Sequence, residues 1–164
     1  MEEKFLRAEG AEEERNSPFQ TRRDSSNISG SVSFDLNRLQ GSYTLTRSEH
    51  LKSRKVIDIL FKEGKSVSHN GFTLVYLEHP LPILYPAQVA FSVPKRNFKR
   101  ATDRNRVKRL LREAYRLQKF SFYTELVAAE RHLALMWVYK GRQLPDFYTV
   151  QSEVAFCLKK AVAK

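Results

Sequence analysis

The sequence predicts an α+β or α/β sandwich, with helices over a small sheet, and three observations carry that reading. Apolar residues at helical spacing alternate along the chain with short aromatic and β-branched runs, in the order helix, two or three strands, basic helix, strand, helix. The 164 residues are enough for one full-sized domain and too few for two. The prolines of "PLPILYP" forbid a regular central strand at that point, so they separate two strands.

The folded domain is expected over residues 41–164. Residues 1–40 hold eight acids and six bases, a net of −2, which leaves +13 for the remainder of a chain whose formal charge is +11. With "SSNISGSVS" in it, this segment has too few apolar residues to repay the entropy of ordering. It reads as a mostly disordered extension, or a leader with a short transient helix near Glu9–Arg15, and its acidity suits it to fold back on a basic surface.

Thr46 or Ser48 can cap a first helix whose apolar positions are Leu51, Val56, Ile57, Leu60 and Phe61, with Gly64 as a left-handed C-terminal cap. "GFTLVYLEH" and "AQVAFSVPK" read as strands on either side of the proline-rich connection. "HLALMWVYKG" is a further strand bounded by Gly141, and a final amphipathic helix starts after Pro145. The single cysteine, Cys157, lies among apolar residues in "VAFCLKK" and reads as a small core residue.

Between these elements lies "ATDRNRVKRLLREAYRL", Ala101 to Leu117. With Arg104 at zero on a helical wheel, Lys108 falls at about 40°, Arg112 at about 80°, Asn105 at about 100°, Arg116 at about 120° and Arg109 at about 140°. Val107, Leu110, Leu111, Ala114 and Leu117 occupy an arc from about 220° to 340°, so one face packs and the other is cationic. Arg106, at about 200°, borders the buried arc and is expected in part to brace the helix.

Like charges four residues apart cost an isolated helix roughly 0.2–0.5 kcal/mol each. A merely solvated face would interleave acids with its bases, yet Lys95–Lys119 holds eleven bases against two acids. Thr102 or Asp103 can cap this helix, and "PKRNFKRA" brings Lys95, Arg96, Lys99 and Arg100 to its positive end, where backbone N–H groups also favour phosphate. Arginine outnumbers lysine on the helix, and guanidinium grips phosphate bidentately. The composition points to nucleic acid as partner.

No run approaches the roughly twenty apolar residues of a membrane span, and the N-terminus lacks the apolar core of a signal peptide, so a cytoplasmic location without membrane contact is expected. No Asp-x-Asp or His-x-Glu pair, phosphate loop or dinucleotide fingerprint occurs in the domain. His50, His69, His79 and His132 are scattered, and His69 reads as an exposed polar strand residue. No catalytic or metal-ligating residue is assigned to the chain itself.

The block "FSVPKRNFKRATDRNRVKRLLREAYRL" resembles the signature of the bacterial ribonuclease P protein component, with Arg104, Asn105, Arg106, Lys108 and Arg109 as its Arg-Asn-Arg core and following basic pair. "FKEGKSVSHNGFTLVY" and "VAFSVPKR" are similar to two further landmarks of that family, in order, and the resemblance covers about Tyr43 to Ala161. It implies an α+β fold, a small mixed sheet with helices packed on it, like ribosomal protein S5, whose left-handed βαβ crossover contains the basic helix.

For function, the resemblance implies a protein subunit that binds a catalytic RNA and the 5′ leader of precursor tRNA. That RNA removes the leader with Mg2+ held mainly by itself, and no protein partner is required. Carried onto this sequence, the RNA-facing residues are Arg104, Asn105, Arg106, Lys108, Arg109 and Arg112, beside Lys95, Arg96, Lys99 and Arg100. A leader cleft between the first helix and the sheet matches Phe61, Lys65, Ser66, Phe72 and Leu74, with Val93 and Lys95 near its edge. The alternatives are a non-catalytic RNA-binding ribosomal or assembly factor and, less in keeping with so uniformly cationic a face, a DNA-binding protein.

Overall fold

A computed structural model describes residues 44–80 and 85–163, and the extension expected over residues 1–40 lies outside the described residues. The described elements run α1 (Arg54–Glu63), β1 (Lys65–His69), β2 (Phe72–Glu78), β3 (Ala87–Ser92), α2 (Ala101–Ala128), β4 (Leu133–Tyr139) and α3 (Phe147–Val162). This is the expected order with three strands before the basic helix.

The sheet order is β1-β2-β4-β3, antiparallel except where β3 pairs in parallel with β4. Parallel neighbours cannot be joined by a tight turn, and here the crossover between them is the basic helix α2. The sheet is therefore mixed, as the resemblance implies. Strand β1 is a full hairpin partner of β2, closed by Asn70 and Gly71 at φ 42° and 80°. An Asn-Gly pair is suited to such a turn because both residues tolerate positive φ.

Strand alternation divides the sheet's side chains between two cores. Phe72, Leu74, Tyr76, Val89, Leu133, Leu135, Trp137 and Tyr139 pack with Val107, Leu111, Ala114 and Tyr115 of α2 and with Val150, Val154, Cys157 and Leu158 of α3. On the other face Ala134 and Met136 meet Leu51 and Leu60, with Val56, Ile57, Val75, Leu77, Ala90 and Val138 half-buried around them. The first core is covered by two long helices and the second by the ten residues of α1 with Leu51 just ahead of it.

Three helix ends differ from expectation. Thr46 caps a short 3-10 turn, Arg47–Glu49, and α1 starts later, with Ser53 accepting from the Val56 N–H. Gly64 follows α1 at φ −70°, not left-handed, but glycine fits for another reason: a Cβ there would collide with the Leu60 carbonyl oxygen. Helix α2 starts at Ala101, which puts Thr102 and Asp103 inside its first turn and leaves Arg100 at the N-cap without a side-chain cap. It continues well past Leu117, to Ala128. Leu117 is 40% exposed, so the packed arc does not include it.

Cys157 is buried as expected, and burial, helped by the nearby Glu153 charge, pushes its thiol up to about 12. That keeps it protonated and inert.

Candidate nucleic-acid interface

The loop between β3 and α2 is held at three points, and each fixes backbone while leaving cationic side chains outside. The Asn97 N–H donates to the Pro94 carbonyl at 3.1 Å, closing a turn. The Asn97 side-chain amide donates to the carbonyls of Lys140 at 2.7 Å and Gly141 at 3.3 Å, tying the loop to the end of β4. Phe98 is buried, its ring stacked 6.1 Å from that of Tyr139. Lys95, Arg96, Lys99 and Arg100 are all exposed around this anchor.

Arg104 completes it. Its Nη1 donates to the carbonyls of Phe98 and Lys99, both at 2.8 Å, so the guanidinium ties the helix to the loop before it. The bracing expected of Arg106 thus belongs to Arg104, while Arg106 is exposed. Helical geometry explains the exchange. Arg104 sits in the first turn, where its side chain points back over the N-terminus and meets loop carbonyls, whereas Arg106 points away from both loop and core.

Along the next two turns Asn105, Arg109 and Arg112 are exposed and Lys108 is half-buried. The Arg112 guanidinium lies 6.0 Å from the Phe91 ring centre, within cation–π range. His50 is held below the usual imidazole value by burial first and then by the charges of Arg112 and Lys52. No carboxylate among the described residues forms an ion pair with Lys95, Arg96, Lys99, Arg100, Arg104, Arg106, Lys108, Arg109 or Arg112. Among the described residues these bases therefore have no carboxylate partner, Arg104 being engaged by loop carbonyls and Arg112 by the Phe91 ring.

Two neighbouring bases were not legible in the sequence. Lys140 and Arg142 are exposed beside the strand end that Asn97 clamps, so they extend the cationic surface beyond the loop. Their only sequence signal is two bases flanking a glycine after a strand, which is common in loops.

The residues assigned to a cleft between α1 and the sheet do not all share that face. Phe61 is 56% exposed on α1. Ser66 pairs in register with Val75, on the α1 side of the sheet. Phe72 and Leu74 are buried in the opposite core, under α2 and α3, and so are corrected out of the cleft. Lys65 is exposed but alternates with Ser66 and shares register with Tyr76, so it belongs to the far side as well. Val93 is also buried in the α2–α3 core. The α1 side instead offers Thr73, whose hydroxyl lies 3.0 Å from that of Ser68, and Val75. Adjacent strand residues point to opposite faces, so a set carried over with the resemblance that joins Ser66 to Lys65, Phe72 and Leu74 spans both sides of the sheet, and which side is open depends on where α1 lies.

Among the described residues, no three His, Cys, Asp or Glu side chains converge as a metal site. None of the described helices is long and apolar enough to cross a membrane.

Comparison with known proteins agrees with this architecture. The ribonuclease P protein component of Porphyromonas gingivalis is 37% identical over 111 residues, covering 67% of this chain and 80% of that protein. Its counterpart from Chlorobaculum tepidum is 31% identical over 130 residues, covering 73% and 83%. The solved ribonuclease P protein of Thermotoga maritima superposes with a TM-score of 0.55 at 23% identity over 68% of this chain and 96% of that one. That of Staphylococcus aureus does so with a TM-score of 0.52 at 18% identity over 69% and 94%, and both show the same fold. The ribonuclease P family profile matches residues 45–162, and the chain belongs to that family, as a protein component of the endoribonuclease ribonucleoprotein that processes tRNA.

Proposed function

We propose that the chain binds the catalytic RNA of ribonuclease P through α2 and the loop before it, and holds the 5′ leader of precursor tRNA along the α1 side of the sheet. The observation that carries this reading is the array of cations on one edge with no carboxylate among the described residues paired to them. Cations left unpaired on a folded surface repel one another, and a phosphate backbone relieves that repulsion while releasing its own counterions. Arg96, Lys99, Arg100, Arg106, Lys108, Arg109 and Arg112 are the phosphate contacts. Lys95 lies where the loop leaves the sheet, and Asn105 supplies an amide among the guanidinium groups. The uncapped first turn of α2 adds backbone N–H groups to the same end.

The leader reading rests on Phe61, an exposed aromatic face that stacks on bases without reading sequence, as a variable leader requires. Ser66 and Ser68 supply exposed hydroxyls on the same side of the sheet, with the buried Thr73 hydroxyl 3.0 Å from that of Ser68. In this reading Mg2+ is held mainly by the RNA subunit, which supplies the chemistry. The protein's part is to screen RNA–RNA repulsion so that less magnesium suffices, in the cytoplasm and without a second protein.

Adding the chain to the matching catalytic RNA should stimulate precursor tRNA cleavage at low magnesium. Lys108→Glu with Arg109→Glu should abolish the stimulation without lowering the melting temperature. Stimulation that survives the double reversal would overturn the reading.

A further inference from the structure

At the hairpin end of β1, a buried carboxylate holds an exposed imidazole in place. Glu153 of α3 is 6% exposed. Its two oxygens are 2.6 Å from His69 Nδ1 and 2.6 Å from the Asn70 side-chain nitrogen, which donates. Burying a carboxylate is costly unless it is well hydrogen-bonded, and these two contacts come from adjacent residues of the turn. They leave His69 with a side chain 45% exposed and its Nε2 without a partner among the described residues.

The ring held this way lies 4.6 Å from that of Phe156, tilted by 36°. Phe156 is 39% exposed, and the Lys160 ammonium sits 5.8 Å from its ring centre. An exposed aromatic pair with an ammonium over one of its rings suits an unpaired nucleotide, the base against the exposed ring surface and the phosphate near the ammonium.

This cluster is linked to the basic surface through backbone. The Gly71 carbonyl of the same turn accepts from the Lys140 N–H at 2.7 Å, and Asn97 clamps the Lys140 and Gly141 carbonyls from the α2 loop. Turn, strand end and loop thus form one rigid edge, with Lys140 and Arg142 exposed along it.

We infer that the RNA-binding surface runs from the start of α2 across this edge to His69 and Phe156, which stack on an unpaired base of the RNA while Lys160 meets its phosphate. Glu153 and Asn70 are positioning residues. The inference rests on the RNA-binding role proposed above and adds a site to it.

The test is equilibrium binding of the full chain to the in vitro transcribed ribonuclease P RNA of the same organism, across a salt series. Phe156→Leu keeps an apolar side chain, leaves Glu153 and its two hydrogen bonds in place and removes no charged group, although it ends the ring contact with Lys160. It should weaken binding roughly 5- to 100-fold with an unchanged salt slope, and Phe156→Trp should restore it. Lys160→Gln should lower the slope by about 0.7. Wild-type affinity in Phe156→Leu, alongside a large loss in the Lys108→Glu, Arg109→Glu double variant, would overturn the stacking site and leave the RNA-binding role standing. Wild-type affinity in both would overturn the two together.

Discussion

The two halves of α2 treat the same kind of residue in opposite ways. From Arg104 to Arg112 the bases have no carboxylate partner among the described residues. From Glu113 to Ala128 both are paired. Arg116 bonds Glu113 through two nitrogens at 2.6 and 2.8 Å. Lys119, 4% exposed, donates to Glu49 at 3.0 Å and to the Thr44 carbonyl at 2.6 Å. Glu49 is fully buried, and it also accepts from the Tyr123 hydroxyl at 2.9 Å and from the Thr46 N–H at 2.6 Å.

On the wheel Lys108 and Lys119 lie close together, at about 40° and 60°. Azimuth therefore does not separate them. What does is the chain ahead of α1: residues 44–51 run beside β3, with the Leu51 N–H donating to the Val89 carbonyl at 3.0 Å, and cover only the later half of the helix. One half serves as a binding surface and the other as a strut.

The largest expected effect tests the strut. Glu49→Ala leaves Lys119 buried without its counter-charge and should cost about 3–5 kcal/mol in denaturant unfolding. RNA affinity per folded molecule should be unchanged, and a matching loss of affinity would erase the distinction between the halves. Next comes the boundary residue. Arg104→Gln should lose about 1.5–3 kcal/mol from its charged hydrogen bonds and speed amide exchange in the loop over residues 96–99. Arg106→Gln should stay within about 0.5 kcal/mol of wild type while weakening RNA binding. Equal stability losses would show that Arg104 does not brace the loop.

The smallest effect sharpens the binding half. Lys108→Gln removes two like-charge pairs, with Arg104 and Arg112, so thermal stability should rise by about 0.4–1 kcal/mol as the salt dependence of RNA binding falls. Lower stability would mean that the surface charges are not in conflict before RNA arrives.

The binding half was readable because its logic is local. Val107, Leu111 and Ala114 recur at helical spacing and the cations fill the gaps, so a wheel sorts them. The strut was not readable, since Lys119 and Glu49 are far apart in sequence and nothing near Lys119 signals burial. Beyond His69 itself, the extent of β1 is not legible because "KSVSH" is mostly polar. The Asn70–Gly71 pair was its available signal, and the strand is an edge whose outward residues face water. Phe72 and Leu74 were recognised as strand residues, but which side of the sheet they face depends on where α1 lies.

By itself the sequence determined the element order, the mixed helix-and-strand class and the cationic face of α2, because periodicity and charge act between neighbours in the chain. The tertiary structure decided which bases stay free, which face of β2 is open, and that His69 and Phe156 meet. Each of those depends on segments distant in sequence arriving at the same place, and their burial and pairing exist only once the sheet and its helices have closed.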